Sequence, residues 1–261
     1  MSELDEFIEF ADGLAEEVRP FIIEAFERGY EYEMKSDGSP VTEIDHAVEK
    51  IMRGKIKKHY PEFGVLGEEL DNVNMDAEYI WVLDPIDGTR AFATGLPNFG
   101  SLIALCHRGS PILGIIELPI ERMRVIGAKG RPTLCNGKPV RTRNCTSLNE
   151  AVVCPCGPDY WGEQEPKLAK LREQSNWRVY DGGCAAYASL ARGYIDICID
   201  TTLDAFDFSA LVPVIEGAGG MITDWQGMPL TLSSGKLVVA ASTAECHREV
   251  LSILSGPPAS S

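Results

Sequence analysis

Two aspartates three positions apart, in Trp81-Val82-Leu83-Asp84-Pro85-Ile86-Asp87-Gly88-Thr89-Arg90, stand where an apolar run stops. Pro85 fixes its own φ and Gly88 permits an unusual turn, so both carboxylates can converge beyond a strand end. Clustered carboxylates repel one another unless a cation sits among them. Magnesium suits such a cluster, because it takes oxygen ligands and completes its shell with water and substrate phosphate. The alternative is an ordinary Asp-Pro/Asp-Gly turn between strands. Two further segments could add acids. Gly67-Glu68-Glu69 follows a short apolar run; it either delivers a carboxylate to a sheet edge or is a solvated acidic loop. Asp204-Ala205-Phe206-Asp207 precedes an apolar helix, where Asp is also a favoured N-cap. Those two roles are compatible, since a cap position faces outward into a crevice.

The elements that must position these acids follow from periodicity. Leu4, Phe7, Ala11, Leu14, Val18 and Ile22 recur at three- and four-residue spacings and predict a long amphipathic helix. After a polar loop, residues 35–40, a second helix runs from near Thr42 to about His59. Gly64–Gly67 reads as a short strand. Apolar runs at 79–83, 101–106, 111–116 and 125–128, bounded by Gly and Pro, predict a β meander that continues through 136–140. Beyond Thr142 strands and helices alternate: strands at 151–154, 178–180, 194–198, 221–223 and 237–241, and helices at 167–173, 184–192, 208–218 and 244–254. The fold class expected is therefore α/β, an α+β N-terminal half (1–145) joined to an α/β C-terminal half (146–255). Residues 256–261 read as a disordered tail.

Composition narrows the function. The 261 residues carry a net charge of −15, which argues against nucleic-acid binding, where Lys and Arg must replace counterions. Nothing approaches an apolar stretch of about 20 residues, so no membrane span is expected. The acidic N-terminus lacks the basic-then-apolar order of a secretory signal. Eight cysteines show neither CxxC pairs nor a disulfide-like framework and read as reduced thiols, which suggests a cytoplasmic protein. No setting for a nucleophilic cysteine or histidine is evident.

Taken together, Gly67-Glu68-Glu69, Asp84-Pro85-Ile86-Asp87-Gly88-Thr89, and Phe206-Asp207 with Glu216-Gly217-Ala218-Gly219-Gly220 resemble the inositol monophosphatase family. The resemblance runs in order from about Lys35 to Ala241. One departure is Phe206, where the family usually has Trp. The resemblance implies a layered α-β-α-β-α sugar-phosphatase fold and a lithium-sensitive phosphatase, commonly a homodimer, with two or three Mg²⁺ ions per site. It implies that Glu68, Asp84, Asp87, Asp207 and the Ile86 carbonyl hold metal. Thr89 with Glu68 would orient the attacking water, and amides around Gly88 and Thr89 would cradle phosphate. Lys35, Thr42 and Asp45 match a mobile loop of the family, in which Asp45 helps place a weaker metal and Thr42 contacts the water network. Thr42-x-x-Asp45 also reads as a variant helix capping box. The implied reaction is hydrolysis by an activated water, with no phosphoenzyme.

Finer features bear on the substrate, a small phosphorylated metabolite. Arg90 directly after Asp-Gly-Thr, with Gly220-Met221-Ile222-Thr223-Asp224-Trp225-Gln226-Gly227, looks like the histidinol-phosphate phosphatase branch. Arg90 could instead be a surface or dimer-contact arginine. By the resemblance the leaving-group pocket would be lined by Asp181, Gly183, Cys184, Asp200 and Asp204. An acidic wall suits the ammonium and imidazole of histidinol phosphate, although acids also accept hydrogen bonds from inositol hydroxyls. The alternatives are an inositol-1-monophosphatase or broad sugar or nucleotide phosphomonoesterase, and, remotely, a non-catalytic metal or phosphate sensor.

Overall fold

The computed structural model describes residues 2–29, 33–34, 40–41 and 43–255. Lys35, Thr42 and the tail 256–261 lie outside the described residues.

Helix α1 (Glu3–Arg28) begins with a reciprocal cap in which the Ser2 amide donates to Asp5 Oδ2 (2.8 Å) and the Asp5 amide donates to Ser2 Oγ (3.3 Å). Two short strands, β1 (Glu33–Met34) and β2 (Pro40–Val41), pair antiparallel before α2 (Glu43–His59). The apolar stripe of α1, including Phe7, Leu14, Val18 and Ile22, is buried together with Val48, Met52 and Ile56 of α2. Full burial of one such side chain is worth about 1.5–3 kcal/mol.

Both helices cover one face of a seven-stranded sheet. Its strands lie in sequence order: β3 (Gly64–Gly67), β4 (Tyr79–Asp87), β5 (Gly100–His107), β6 (Ser110–Leu118), β7 (Met123–Ala128), β8 (Leu134–Cys135) and β9 (Lys138–Pro139). The β3–β4 pair is parallel and the others antiparallel. Residues 136–140 continue the meander as the β8–β9 hairpin, turned at Asn136 and Gly137, which both take positive φ (47° and 74°). Alternation on β4 sorts the core: Trp81 and Leu83 face α1 and α2, while Ile80 and Val82 face the other way.

The remaining elements are β10 (Val152–Pro155), α4 (Glu165–Gln174), β11 (Trp177–Arg178), α5 (Gly183–Ala191), β12 (Ile197–Asp200), α6 (Ala205–Phe208), α7 (Leu211–Gly217), β13 (Met221–Asp224), β14 (Val238–Ala241) and α8 (Ala244–Leu254). The strands form a five-stranded sheet in the order β11-β10-β12-β14-β13. Tyr187 and Leu190 of α5 and Val212 and Ile215 of α7 pack with Val82 and Ile116 of the first sheet. The same cluster takes in Cys198 and Ala240 of the second. Leu168, Val250 and Leu254 of α4 and α8 cover the second sheet's far face through Ile197, Ile199 and Val239. The result is an α-β-α-β-α layered α/β fold. No helix among the described residues is long and apolar enough to cross a membrane.

Two boundaries differ from expectation for identifiable reasons. The strand expected at 194–198 begins only at Ile197. Gly193 has φ 81°, Tyr194 is exposed, and Asp196, fully buried, is held by Arg143 and by the Val152 amide (2.8 Å). The helix expected over 208–218 is broken into α6 and α7. Pro213 has no N–H to bond the Ser209 carbonyl, so a continuous helix through it would lose that link.

Candidate active site

The Asp84–Asp87 segment does not end with the strand but continues it. Asp84 is paired with Leu102 and Asp87 with Gly100, so the three steps on β4 oppose two steps on β5. That surplus residue at Pro85–Ile86 is a β-bulge. In a regular strand, residues three apart face opposite sides; the bulge cancels this alternation. One carboxylate oxygen from each of Asp84, Asp87 and Asp207 consequently falls within 4.8 Å of the others. Gly88 then turns the chain with φ 85°, a conformation costly for a residue with a Cβ. Helix α3 (Thr89–Ala93) follows, and the Thr89 hydroxyl donates to the Ile86 carbonyl (3.0 Å).

Each acid is held differently. Asp84 is fully buried, and among the described residues neither of its carboxylate oxygens has a hydrogen-bond partner. Burial pushes its carboxyl well above the usual range, and the charges of Glu68, Asp87, Asp207 and Asp45 push it further. Asp87 Oδ2 accepts a 2.7 Å hydrogen bond from the Cys184 amide, where α5 begins; burial raises its carboxyl against that bond. Asp207 Oδ2 accepts from the Asp204 amide (2.6 Å), and burial again raises it, followed by the Asp87 charge. A buried, partnerless carboxylate among repelling neighbours is costly unless a cation occupies the space between them. The all-oxygen donor set fits a hard divalent ion.

Asp45, in the first turn of α2, is fully buried near enough to act electrostatically on Asp84. Glu68 lies just past β3, its amide bonded to the Leu83 carbonyl (3.2 Å), and its charge reaches Asp84 and Asp207. Beside the acids opens a recess lined by Asp87, Gly183, Cys184, Tyr187, Asp200 and Asp207, with Leu102, Leu203 and Leu211 as its apolar side. The Tyr187 hydroxyl donates to Asp200 Oδ2 (2.7 Å), while burial pushes the Asp200 carboxyl up to about 7. Burial, and then the Asp87 charge, hold the Cys184 thiol far above its ordinary pKa, which keeps it from acting as a nucleophile.

Arg90, Asp181 and Asp204 do not line this recess. The Arg90 guanidinium lies over the Tyr160 ring, 5.0 Å from its centroid. Asp181 sits at φ 54°; its Oδ1 accepts from the Gly157 amide (2.6 Å) and its carbonyl from Asn98 Nδ2 (3.3 Å). Asp204 Oδ2 is taken by Lys236 Nζ (2.7 Å). Tyr187 and Tyr160 escaped sequence reasoning. The partner of each, Asp200 for Tyr187 and Arg90 for Tyr160, comes from a separate element, and no local pattern announces it.

Comparison with known proteins agrees with this geometry. The inositol monophosphatase family profile matches residues 3–255. The bifunctional phosphatase IMPL2, chloroplastic, of Arabidopsis thaliana is 40% identical over 263 residues, covering 97% of this chain and 76% of that one. A histidinol-phosphatase of Chlorobaculum parvum is 28% identical over 252 residues, covering 95% of this chain and 97% of that one. The solved inositol monophosphatase of Zymomonas mobilis superposes with a TM-score of 0.89 at 38% identity, covering 98% of this chain and all of its own. A profile match running from residue 3 to residue 255, on a fold shared at that level of identity, makes this chain a member of the inositol monophosphatase family.

Proposed function

We propose that this chain is a Mg²⁺-dependent phosphomonoesterase whose substrate is L-histidinol phosphate. The family is metal-dependent and acts on small phosphorylated molecules. The observation that carries the metal reading is the buried Asp84 carboxylate, with neither oxygen hydrogen-bonded among the described residues and one oxygen within 4.8 Å of those from Asp87 and Asp207. Asp84, Asp87, Asp207, Glu68 and the Ile86 carbonyl would hold the ions, with Asp45 supporting a weaker one. Bound magnesium would neutralise the phosphate dianion and make a water acidic enough to attack.

The chain's own groups do the rest. Cys184 N–H fixes the Asp87 carboxylate, and Thr89, together with Glu68, orients the water. Amides at Gly88 and Thr89 receive phosphate oxygens. Asp200, held by Tyr187, presents an acidic wall to the ammonium or imidazole of the leaving group. Relatives named histidinol-phosphatase at 28–31% identity support that substrate. A second reading, an inositol monophosphate, rests on the 38% identity to the Zymomonas protein. A cytoplasmic location and a homodimer belong to this proposal as well.

Phosphate release from histidinol phosphate and inositol 1-phosphate, measured in parallel with and without Mg²⁺, separates these readings. A Mg²⁺-dependent preference for histidinol phosphate is expected. Comparable rates or an inositol preference would keep the chemistry and overturn the substrate; activity undiminished by chelator would overturn the metal.

A further inference from the structure

We infer that Glu49 and Arg53, one helical turn apart on α2, are positioning residues that hold Glu68 at the metal site. The inference rests on the proposed role of Glu68. Residues 45, 49 and 53 recur at the four-residue spacing that places them on one helix face. Asp45 and Glu49 are both fully buried there. A buried carboxylate needs partners, and Glu49 has two of different kinds. Oε1 receives Arg53 Nε (2.6 Å), and Oε2 receives the amide of Glu69 (2.9 Å). Arg53 spends its remaining donors on the same loop, Nη2 to the Leu70 carbonyl and Nη1 to the Asp71 carbonyl (3.0 Å each).

Three consecutive residues after Glu68 are thus tied to α2, while the Glu68 amide is tied to Leu83, the residue before Asp84. The loop bearing Glu68 is therefore fastened on both sides, to the strand that carries Asp84 and Asp87 and to the helix that carries Asp45. Gly67 is the space this needs. A Cβ there would lie 2.1 Å from Glu49 Oε1 and 2.8 Å from Arg53 Nη2. The planar guanidinium suits the task, because its fixed fork reaches one carboxylate and two carbonyls at once. Nothing about the clamp requires it for the helix itself, which is already anchored by Val48, Met52 and Ile56.

The test is calorimetric titration of the full chain with Mg²⁺ alone and with Mn²⁺ alone, beside thermal melts and kcat and KM for the phosphate ester. Arg53→Met and Gly67→Ala should each weaken metal binding by about 10–100-fold, the range for losing a group that orients a ligand. They should lower kcat at fixed metal more than they change KM for the ester. Arg53→Lys, which keeps the charge but not the fork, should fall between and serves if Arg53→Met does not fold. Met52→Ala, on the same helix, should lower Tm without changing metal affinity. Unchanged affinity in Arg53→Met or Arg53→Lys, while Glu68→Gln loses affinity, would overturn the clamp. So would an equal loss in Met52→Ala. Glu68→Gln titrating like the wild type would refute the metal role of Glu68 itself, and the clamp with it.

Discussion

Asp84 and Asp87 are three residues apart on β4, yet their partners on β5, Leu102 and Gly100, are only two apart. One surplus residue thus turns two carboxylates that a regular strand would separate into neighbours. The sheet itself creates the charge density of the site, and the cost of that density can be measured.

Asp84→Asn removes one charge from a buried cluster in which four other acids oppose its ionisation. In excess chelator this variant should melt a few degrees higher than the wild type, since relief of about 1 kcal/mol shifts a chain of this size by roughly 2–4 °C. Added Mg²⁺ should raise the wild-type Tm and leave the variant's almost unmoved. Thermal melts with and without the ion check both; a variant less stable than the wild type in chelator would contradict the repulsion argument.

Asp87→Asn keeps the shape but places a neutral amide opposite the Cys184 N–H, which now donates to Asp87 Oδ2 at 2.7 Å. Turnover at saturating Mg²⁺ should fall by about 100-fold or more, with the far-UV spectrum unchanged. Near-normal turnover would remove Asp87 from the metal site.

Arg90 lies over Tyr160, joining α3 to the segment after β10. Arg90→Ala should impair hydrolysis of histidinol phosphate more than that of a simple aryl phosphate, read as kcat/KM for each. Equal losses would confine Arg90 to phosphate binding or packing. Tyr160→Leu, which removes the platform beneath the guanidinium, should reproduce the direction of the effect.

Asp200 supplies a pH test. Burial pushes its folded carboxyl up to about 7 from 3.8. Between those values the folded chain holds a proton that the unfolded chain has released, so this group's contribution is fully present below about 4 and is lost as pH rises to about 7. Asp200→Asn should therefore flatten the decline in stability over that window, measured by denaturant melts in chelator. Tyr187→Phe deletes the bond that opposes the shift and should move the window upward.

What could be read from the sequence was what neighbours along the chain decide. The stripe on α1, the turn residues around Gly88 and the Asp84–Asp87 spacing are local, and so they were legible. The bulge was not, because it exists only in the pairing of β4 with β5. Asp196 carried no mark of its tie to Arg143, and that tie delays the start of β12. Glu49 and Arg53 are spaced i, i+4 on a charged helix, a pattern that by itself marks only a local pair. The burial of Glu49 depends on the loop after β3 folding back onto α2, which the sequence of α2 alone does not announce. Cys184 lines the recess, and its amide also serves Asp87, 97 residues earlier in the chain, a tie that no local pattern shows.

The middle layer has a consequence for synthesis. The seven-stranded sheet is complete at Pro139, but the α5 and α7 helices that cover its inner face are encoded only from Gly183 to Gly217. On a translating ribosome, Ile80, Val82, Leu102 and Ile116 therefore wait uncovered for a time on the order of seconds. Asp207, 120 residues after Asp87, is also made within that interval. The half-made chain thus combines a sticky apolar face with an incomplete acidic centre, and truncation between residues 140 and 206 would make that transient state permanent.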